Sequence, residues 1–170
     1  MIYFTSDTHF QHVNVIKYCE NTRGHFTSVF DMDETLIHNW NAKVKPTDIL
    51  YHLGDFAFGN HATAIEILKR LNGNKIIIFG NHDNQLKKKN SFLEHFIEYH
   101  DTLDLEINVL KINLCHKPPI NPKDDILYLH GHLHGTGINL RNTFDVGVDT
   151  RKELSLYSLD EILKCQKTIF

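Results

Sequence analysis

The segment that most limits what this chain can become runs from Lys75 through Ile76, Ile77, Ile78 and Phe79 to Gly80, Asn81, His82 and Asp83. Three β-branched residues and a phenylalanine without polar alternation predict a strand buried on both faces, the pattern of a parallel sheet in an α/β fold. The apolar run stops at Gly80 and three polar residues follow at once. Open α/β sheets carry ligand and catalytic groups at the carboxyl ends of their strands, so Asn81, His82 and Asp83 are expected at such a rim. One tip of this kind is ordinary turn chemistry, since Gly-Asn suits a turn. In this chain, however, the same ending recurs.

Taken in order, residues 2–6 read as a strand leading into Asp7-Thr8-His9, whose alternate spacing would send both functional side chains to one face of an extended chain. A short helix is expected over 13–20 and a loop over 21–30. An amphipathic helix follows over 31–44, with Met32, Leu36 and Trp40 facing inward, and Pro46 beyond it. A strand over 48–53 ends in Gly54-Asp55. A helix over 62–71 turns Ile65 and Leu68 inward and has Gly73 past its C-terminus. The lysine-rich stretch after Asp83 reads as helical and 97–114 as antiparallel strands ending in Cys115-His116. A strand over 126–129 runs into His130-Gly131-His132-Leu133-His134, and another is expected over 143–148. Ser158 and Glu161 have the spacing of a capping box that opens a last helix reaching about residue 165.

Composition narrows the function classes. With 170 residues and 41% hydrophobic content, the chain is sized for one buried core, a single domain over 1–170. A formal net charge of −3 supplies no pull toward nucleic acid or anionic lipid, and the basic run Lys87-Lys88-Lys89 reads as a solvated face. No apolar run approaches the length of a membrane span. Three widely separated cysteines without Cys-x-x-Cys spacing argue against a disulfide framework and a zinc knuckle. With no signal-peptide pattern before Ile2, they place the expected compartment in the cytoplasm. What stands out is thirteen histidines, because imidazole is a common metal ligand and acid–base group.

Five strand ends carry groups that bind divalent metals: Asp7 and His9, Asp55, Asn81, His116, and His132 with His134. Singly, each has a bland explanation as turn or loop chemistry. Together, in one order and each after an apolar run, they do not. The set resembles the signature of the calcineurin-like metallophosphoesterase superfamily: Asp-x-His, Gly-Asp, Gly-Asn-His-Asp, a further His, then Gly-His-x-His. Over residues 6–14 and 51–58 the chain is also similar to small single-domain bacterial and phage phosphoesterases that begin Ser-Asp-Thr-His-Phe. The resemblance implies an α/β (α+β) fold in four layers: a central β-sandwich flanked by helices, with the metal site at strand carboxyl ends.

It also implies a ligand set. Asp7, His9 and His134 would hold a first metal; Asn81, His116 and His132 a second; Asp55 would bridge. Mixed carboxylate, imidazole and amide donors suit Mn²⁺, with Fe, Zn or Ni as alternatives. Two such ions can share a hydroxide and grip both oxygens of an in-line displacement. The implied activity is hydrolysis of a phosphodiester or phosphomonoester, a nucleotide being one candidate substrate. His82 would act as general acid, and Asp83 would orient it. Among the other histidines, His12 in the loop after the first block is placed to reach a substrate phosphate, and Arg23 is a second candidate for that role. His25, His38, His61, His95 and His100 read as surface residues, while His52 and His130 read as sheet residues. Cys115 is expected to point away from the metals. A nuclease reading is weakened by the acidic charge and the lack of an accessory domain. A metal-binding interaction module without turnover is opposed by the presence of His82.

Overall fold

The computed structural model describes residues 1–137 and 142–167. It contains two sheets flanked by helices. The first sheet has the order β4-β3-β2-β1-β9, built from β1 (Ile2–Thr5), β2 (Ile49–His52), β3 (Asn74–Ile78), β4 (Glu98–His100) and β9 (Tyr157–Ser158). Its first four strands are mutually parallel and β9 runs antiparallel against β1. In the second sheet the order is β5-β6-β7-β8, from β5 (Thr102–Ile107), β6 (Leu110–Cys115), β7 (Leu127–His130) and β8 (Thr143–Asp145). Here β5 and β6 form an antiparallel hairpin, and β6, β7 and β8 are parallel.

The isoleucine run of β3 shows why it has no polar alternation. Ile76 and Ile78 pack between the sheets with Phe4, Leu53, Ile112, Leu114, Leu127 and Leu129. Ile77 points the other way, into a second core made with helices α3 (Val29–Lys43) and α4 (His61–Arg70). Met32, Leu36 and Trp40 of α3 lie in that core as their spacing predicts. The Trp40 Nε1–H donates to the Asn72 carbonyl at 2.9 Å, so the indole is buried without losing its hydrogen bond. Burying such surface contributes roughly 25 cal/mol per Å², and both faces of the first sheet draw on it.

Several boundaries differ from expectation, each for a local reason. The helix predicted over 13–20 is two short ones, α1 (Val15–Tyr18) and α2 (Glu20–Arg23). They are separated where Cys19 leaves helical geometry (φ −110°, ψ 50°). The lysine-rich stretch holds only a 3-10 turn at Leu86–Lys88 and the single-turn helix α5 (Asn90–Leu93). β4, expected to be antiparallel, is parallel to β3, because the chain crosses back over the sheet between them. The last helix, α6 (Leu159–Lys167), starts as predicted. Glu161 N–H donates to Ser158 Oγ at 3.2 Å, and the Glu161 carboxylate accepts from Ser158 N–H at 2.7 Å.

That cap has a measurable share in stability. Replacing Ser158→Ala leaves the N-terminal N–H of α6 without its acceptor and should cost about 1 kcal/mol. For a chain of this size the loss appears as a melting temperature lowered by about 2–4 °C in a thermal scan.

Candidate metal centre

The carboxyl ends of β1, β2 and β3 in one sheet and of β6 and β7 in the other meet at one rim, and backbone hydrogen bonds stitch the tips together. Asp7 N–H donates to the Gly54 carbonyl at 3.0 Å and His9 N–H to the Asp55 carbonyl at 3.0 Å, tying the β1 tip to the β2 tip. In the other sheet Gly131 N–H donates to the His116 carbonyl at 3.0 Å. Between the sheets, the Asp7 carboxylate accepts from His132 N–H at 2.9 Å, while its neighbour Ser6 donates Oγ–H to it at 2.6 Å. Gly80 and Gly131 have no substitute here: a Cβ on the first would overlap the Asp55 carboxylate, and one on the second Ser6 Oγ.

Donor atoms converge in two neighbouring groups. Asp7, His9 and His134 each offer one atom, all within 4.8 Å of one another, and Asp55, His116 and His132 do the same. Asp55 lies between them: its Oδ2 is 3.6 Å from His9 Nε2 and 3.3 Å from His116 Nε2. Asn81 Oδ1 stands 3.1 Å from His116 Nε2, beside the second group. The expected ligand residues are thus brought to one place, though not by the route the sequence suggested. Asp7 and His9 do not leave an extended strand; both have left-handed backbone (φ 56° and 47°), as do Asp55, His132 and His134 (φ 57°, 72° and 49°). Such geometry is uncommon outside glycine and clusters at functional sites.

The arrangement fits divalent cations on its own chemistry. His116 uses Nδ1–H to donate to the Leu53 carbonyl at 2.8 Å, which fixes the tautomer and leaves Nε2 as a donor into the site. His134 is held in the same way by Asp149, at 2.7 Å from Nδ1. Burial holds His9 down to about pKa 2, against the pull of Asp55, so its ring is neutral as ligation requires. Asp7 is pushed up to about 6 by burial, in spite of the nearby His134 and His116 charges and the Ser6 hydroxyl. A divalent cation beside this buried carboxylate would favour its charged form. For Asp55, burial raises the pKa, but the His116 hydrogen bond and charge with the His82 N–H outweigh it and hold the group well below the usual range.

Two expectations are corrected. Asp83 does not orient His82. Its buried carboxylate accepts from Asp55 N–H at 2.8 Å, Phe56 N–H at 2.9 Å and Gly80 N–H at 2.8 Å, clamping the β2 tip to the β3 tip from beneath. The turn after Gly80 points this side chain inward while Asn81 and His82 point out. Arg23 cannot reach a substrate. It is 0% exposed and forms a bidentate pair with Asp149 (2.7 and 2.6 Å), while donating to the carbonyls of Asp7 at 2.7 Å and Thr8 at 3.0 Å. The predicted loop is in fact helix α2, which carries Arg23 under the first ligand block.

Asp149 itself escaped the sequence reading. It joins Arg23, Thr22 and His134, and its carboxyl is held well below the usual range: burial opposes this, but the His134 and Arg23 bonds prevail. The signal was present, since a strand is expected over 143–148 and Asp149 follows it. Cys19 was also overlooked, with Sγ 3.4 Å from His134 Nδ1. Cys115 is buried and its thiol pushed up to about 11 by burial, so it is no thiolate ligand. His52 is fully buried with Nε2 3.0 Å from Thr8 Oγ1, and burial holds it at about 3, a neutral sheet residue.

Above the donor groups lies a cavity of about 790 Å³, lined by His9, His12, His82, His132 and His134 and by residues of α1 and α2. His82 is exposed at its edge; its backbone N–H donates to Asp55 Oδ1 at 2.9 Å. His12 stands beside it, with ring centroids 5.4 Å from His9.

A family model described as calcineurin-like phosphoesterase matches residues 1–167. The chain belongs to this family. It is similar to the uncharacterized protein MJ1445 of Methanocaldococcus jannaschii, 39% identical over 144 residues that cover 81% of this chain and 72% of the relative. Among solved structures it is similar to AQ665 of Aquifex aeolicus, a protein of unknown function, with a TM-score of 0.76 and 29% identity over 97% of this chain and 98% of the other. A novel archaeal phosphodiesterase aligns with a TM-score of 0.44 at 22% identity, over 77% and 73% of the two chains, too distant to carry an argument. Among the described residues, no helix of the chain is long and apolar enough to cross a membrane.

Two outcomes test this account of the site. Arg23→Ala strips a buried carboxylate of its partner and should destabilise the fold by about 3–5 kcal/mol in chemical denaturation; a residue that only touched substrate would leave stability unchanged. Metal uptake should also release protons. Burial lowers the pKa of His134, but Asp149, Cys19 and Asp7 overcome it and hold the ring at about 10, so at pH 7 an incoming ion displaces that proton. Calorimetric Mn²⁺ titrations in buffers of differing ionisation enthalpy should show at least about one proton released per chain, with affinity rising with pH. Asp149→Asn should lower that count.

Proposed function

We propose that the chain is a single-domain, cytoplasmic, dinuclear metal-dependent hydrolase of phosphodiesters or phosphomonoesters, with Mn²⁺ as its first candidate metal. The observation that carries this reading is the position of Asp55, one carboxylate oxygen facing an imidazole nitrogen of each donor group at 3.6 and 3.3 Å. A carboxylate so placed offsets the repulsion between two cations. Asp7, His9 and His134 would hold one ion and Asn81, His116 and His132 the other, with Asp55 shared. Bound there, two divalent ions would supply Lewis-acid activation of water and neutralisation of phosphate charge.

The chain's own part is placement and proton transfer. In hydrolysis a water oxygen bonds to phosphorus while the bond to the leaving oxygen breaks, its electron pair staying on that oxygen. His82 would give that oxygen a proton. Its main chain is tied to the Asp55 carboxylate, and its ring meets His9 and Phe58 edge-on with centroids at 5.4 and 5.9 Å. The imidazole therefore stays beside the donor groups with its edge toward the cavity. Asp83 serves the same end indirectly, by fixing the turn that presents Asn81 and His82. His12, on the cavity wall, is the proposed substrate contact.

Chelation should abolish activity and Mn²⁺ restore it. His82→Ala should reduce kcat/KM for alkyl esters by about 10²–10⁴-fold, the usual worth of general acid catalysis, and spare far more activity on p-nitrophenyl esters. Both ions should remain bound. Asp55→Asn should instead lower metal content and affect every substrate alike. An equal loss from His82→Ala on good and poor leaving groups would remove the general-acid role.

A further inference from the structure

The cavity wall away from the metal ligands is aromatic. Tyr18, at the end of α1, is 75% exposed, and Phe58, in the loop before α4, is 46% exposed. Both line the cavity, and both leave large apolar rings in water, an arrangement that folding alone gives no reason to keep. Between them stands His12, with ring centroids 4.4 Å from Phe58 and 6.1 Å from Tyr18. The three-ring wall begins one ring away from His9 and also touches His82 through Phe58.

The charge of the same cavity narrows what could lie against that wall. Among the described residues its lining includes no lysine or arginine, and Glu20 adds a negative charge. A polyanion would find no lysine or arginine among these described lining residues. A sugar phosphate or alkyl phosphate would leave the rings uncovered. What fits is one phosphate at the donor groups joined by a short spacer to a flat, neutral, π-rich group. The side-chain amides of Asn14 and Asn21, which also line the cavity, offer hydrogen bonds to the edge of such a group. Base–aromatic stacking of this kind tolerates any base, because every base has a π-face.

We infer that His12, Phe58 and Tyr18 form a base-stacking subsite and that the substrate is a nucleoside phosphoester, its base held against these rings on the His82 side of the phosphate. This deepens the phosphoesterase reading and rests on it. His12 then contacts substrate through its ring face.

The test titrates the full chain carrying His82→Gln, which slows turnover, loaded with Mn²⁺, with three probes in a calorimeter: inorganic phosphate, ribose 5-phosphate and AMP. AMP should bind about tenfold or more tighter than ribose 5-phosphate, the range expected from stacking one base. Adding Phe58→Leu or Tyr18→Ala, both at exposed positions, should remove most of that advantage and leave inorganic phosphate affinity unchanged. Equal affinity for AMP and ribose 5-phosphate would overturn the subsite, as would variants that weaken all three probes together. Absence of metal-dependent phosphate binding in the parent protein would instead overturn the phosphoesterase reading, and the subsite with it.

Discussion

Backbone has to meet backbone for two separate sheets to share one rim, and the rest of the molecule follows from that approach. At Gly80 and Gly131 even a methyl group would collide with the side chains the site needs. Once the tips are that close, their N–H groups require acceptors that are not available from regular strand pairing. Carboxylates fill the gap. Asp83 accepts three such groups under the β2 and β3 tips, and Asp7 accepts one from His132 across the sheets. The acidic residues of the signature therefore hold the frame as well as face its contents.

Packing that many acids into a dry place has an electrostatic consequence, and the fold meets it in two ways. At Asp149 the answer is Arg23, wholly buried and bidentate, whose remaining donors satisfy the carbonyls of Asp7 and Thr8. Guanidinium suits this task because it stays charged and its fork matches a carboxylate. At Asp7 the nearest charge is a titratable imidazole, His134 Nε2 at 4.0 Å, with a serine hydroxyl beside it, and burial still pushes its pKa up to about 6. One acid is paired with a permanent charge and the other with imidazoles that can give up their protons. That asymmetry separates the supporting carboxylates from the metal-facing ones more clearly than their sequence context does.

Much of this was legible beforehand. The isoleucines of β3, the Met32–Leu36–Trp40 stripe, the capping box at Ser158 and the five strand ends are local patterns, each set by residues near in sequence. What escaped depends on contacts between distant segments. Asp83 and His82 are neighbours in the chain, and nothing in their order shows that one turns inward to backbone and the other outward to the cavity. Arg23 looked like a loop residue because its partner lies 126 positions away. The direction of β4 was misjudged because alternation shows a strand's faces and not its sense. His12, Phe58 and Tyr18 belong to three local contexts, and only the fold sets them around one opening.

The left-handed backbone at Asp7, His9, Asp55, His132 and His134 bears on how such a chain changes over generations. Each of these conformations costs on the order of 1 kcal/mol or more for a residue with a side chain, and glycine would relieve most of it. At Asp7 and Asp55 that relief would come with the loss of the carboxylates that accept His132 N–H and His82 N–H, so glycine would give up a donor and a tie between the tips together. Aspartate and histidine standing together at all five positions put this backbone cost where the donor atoms converge.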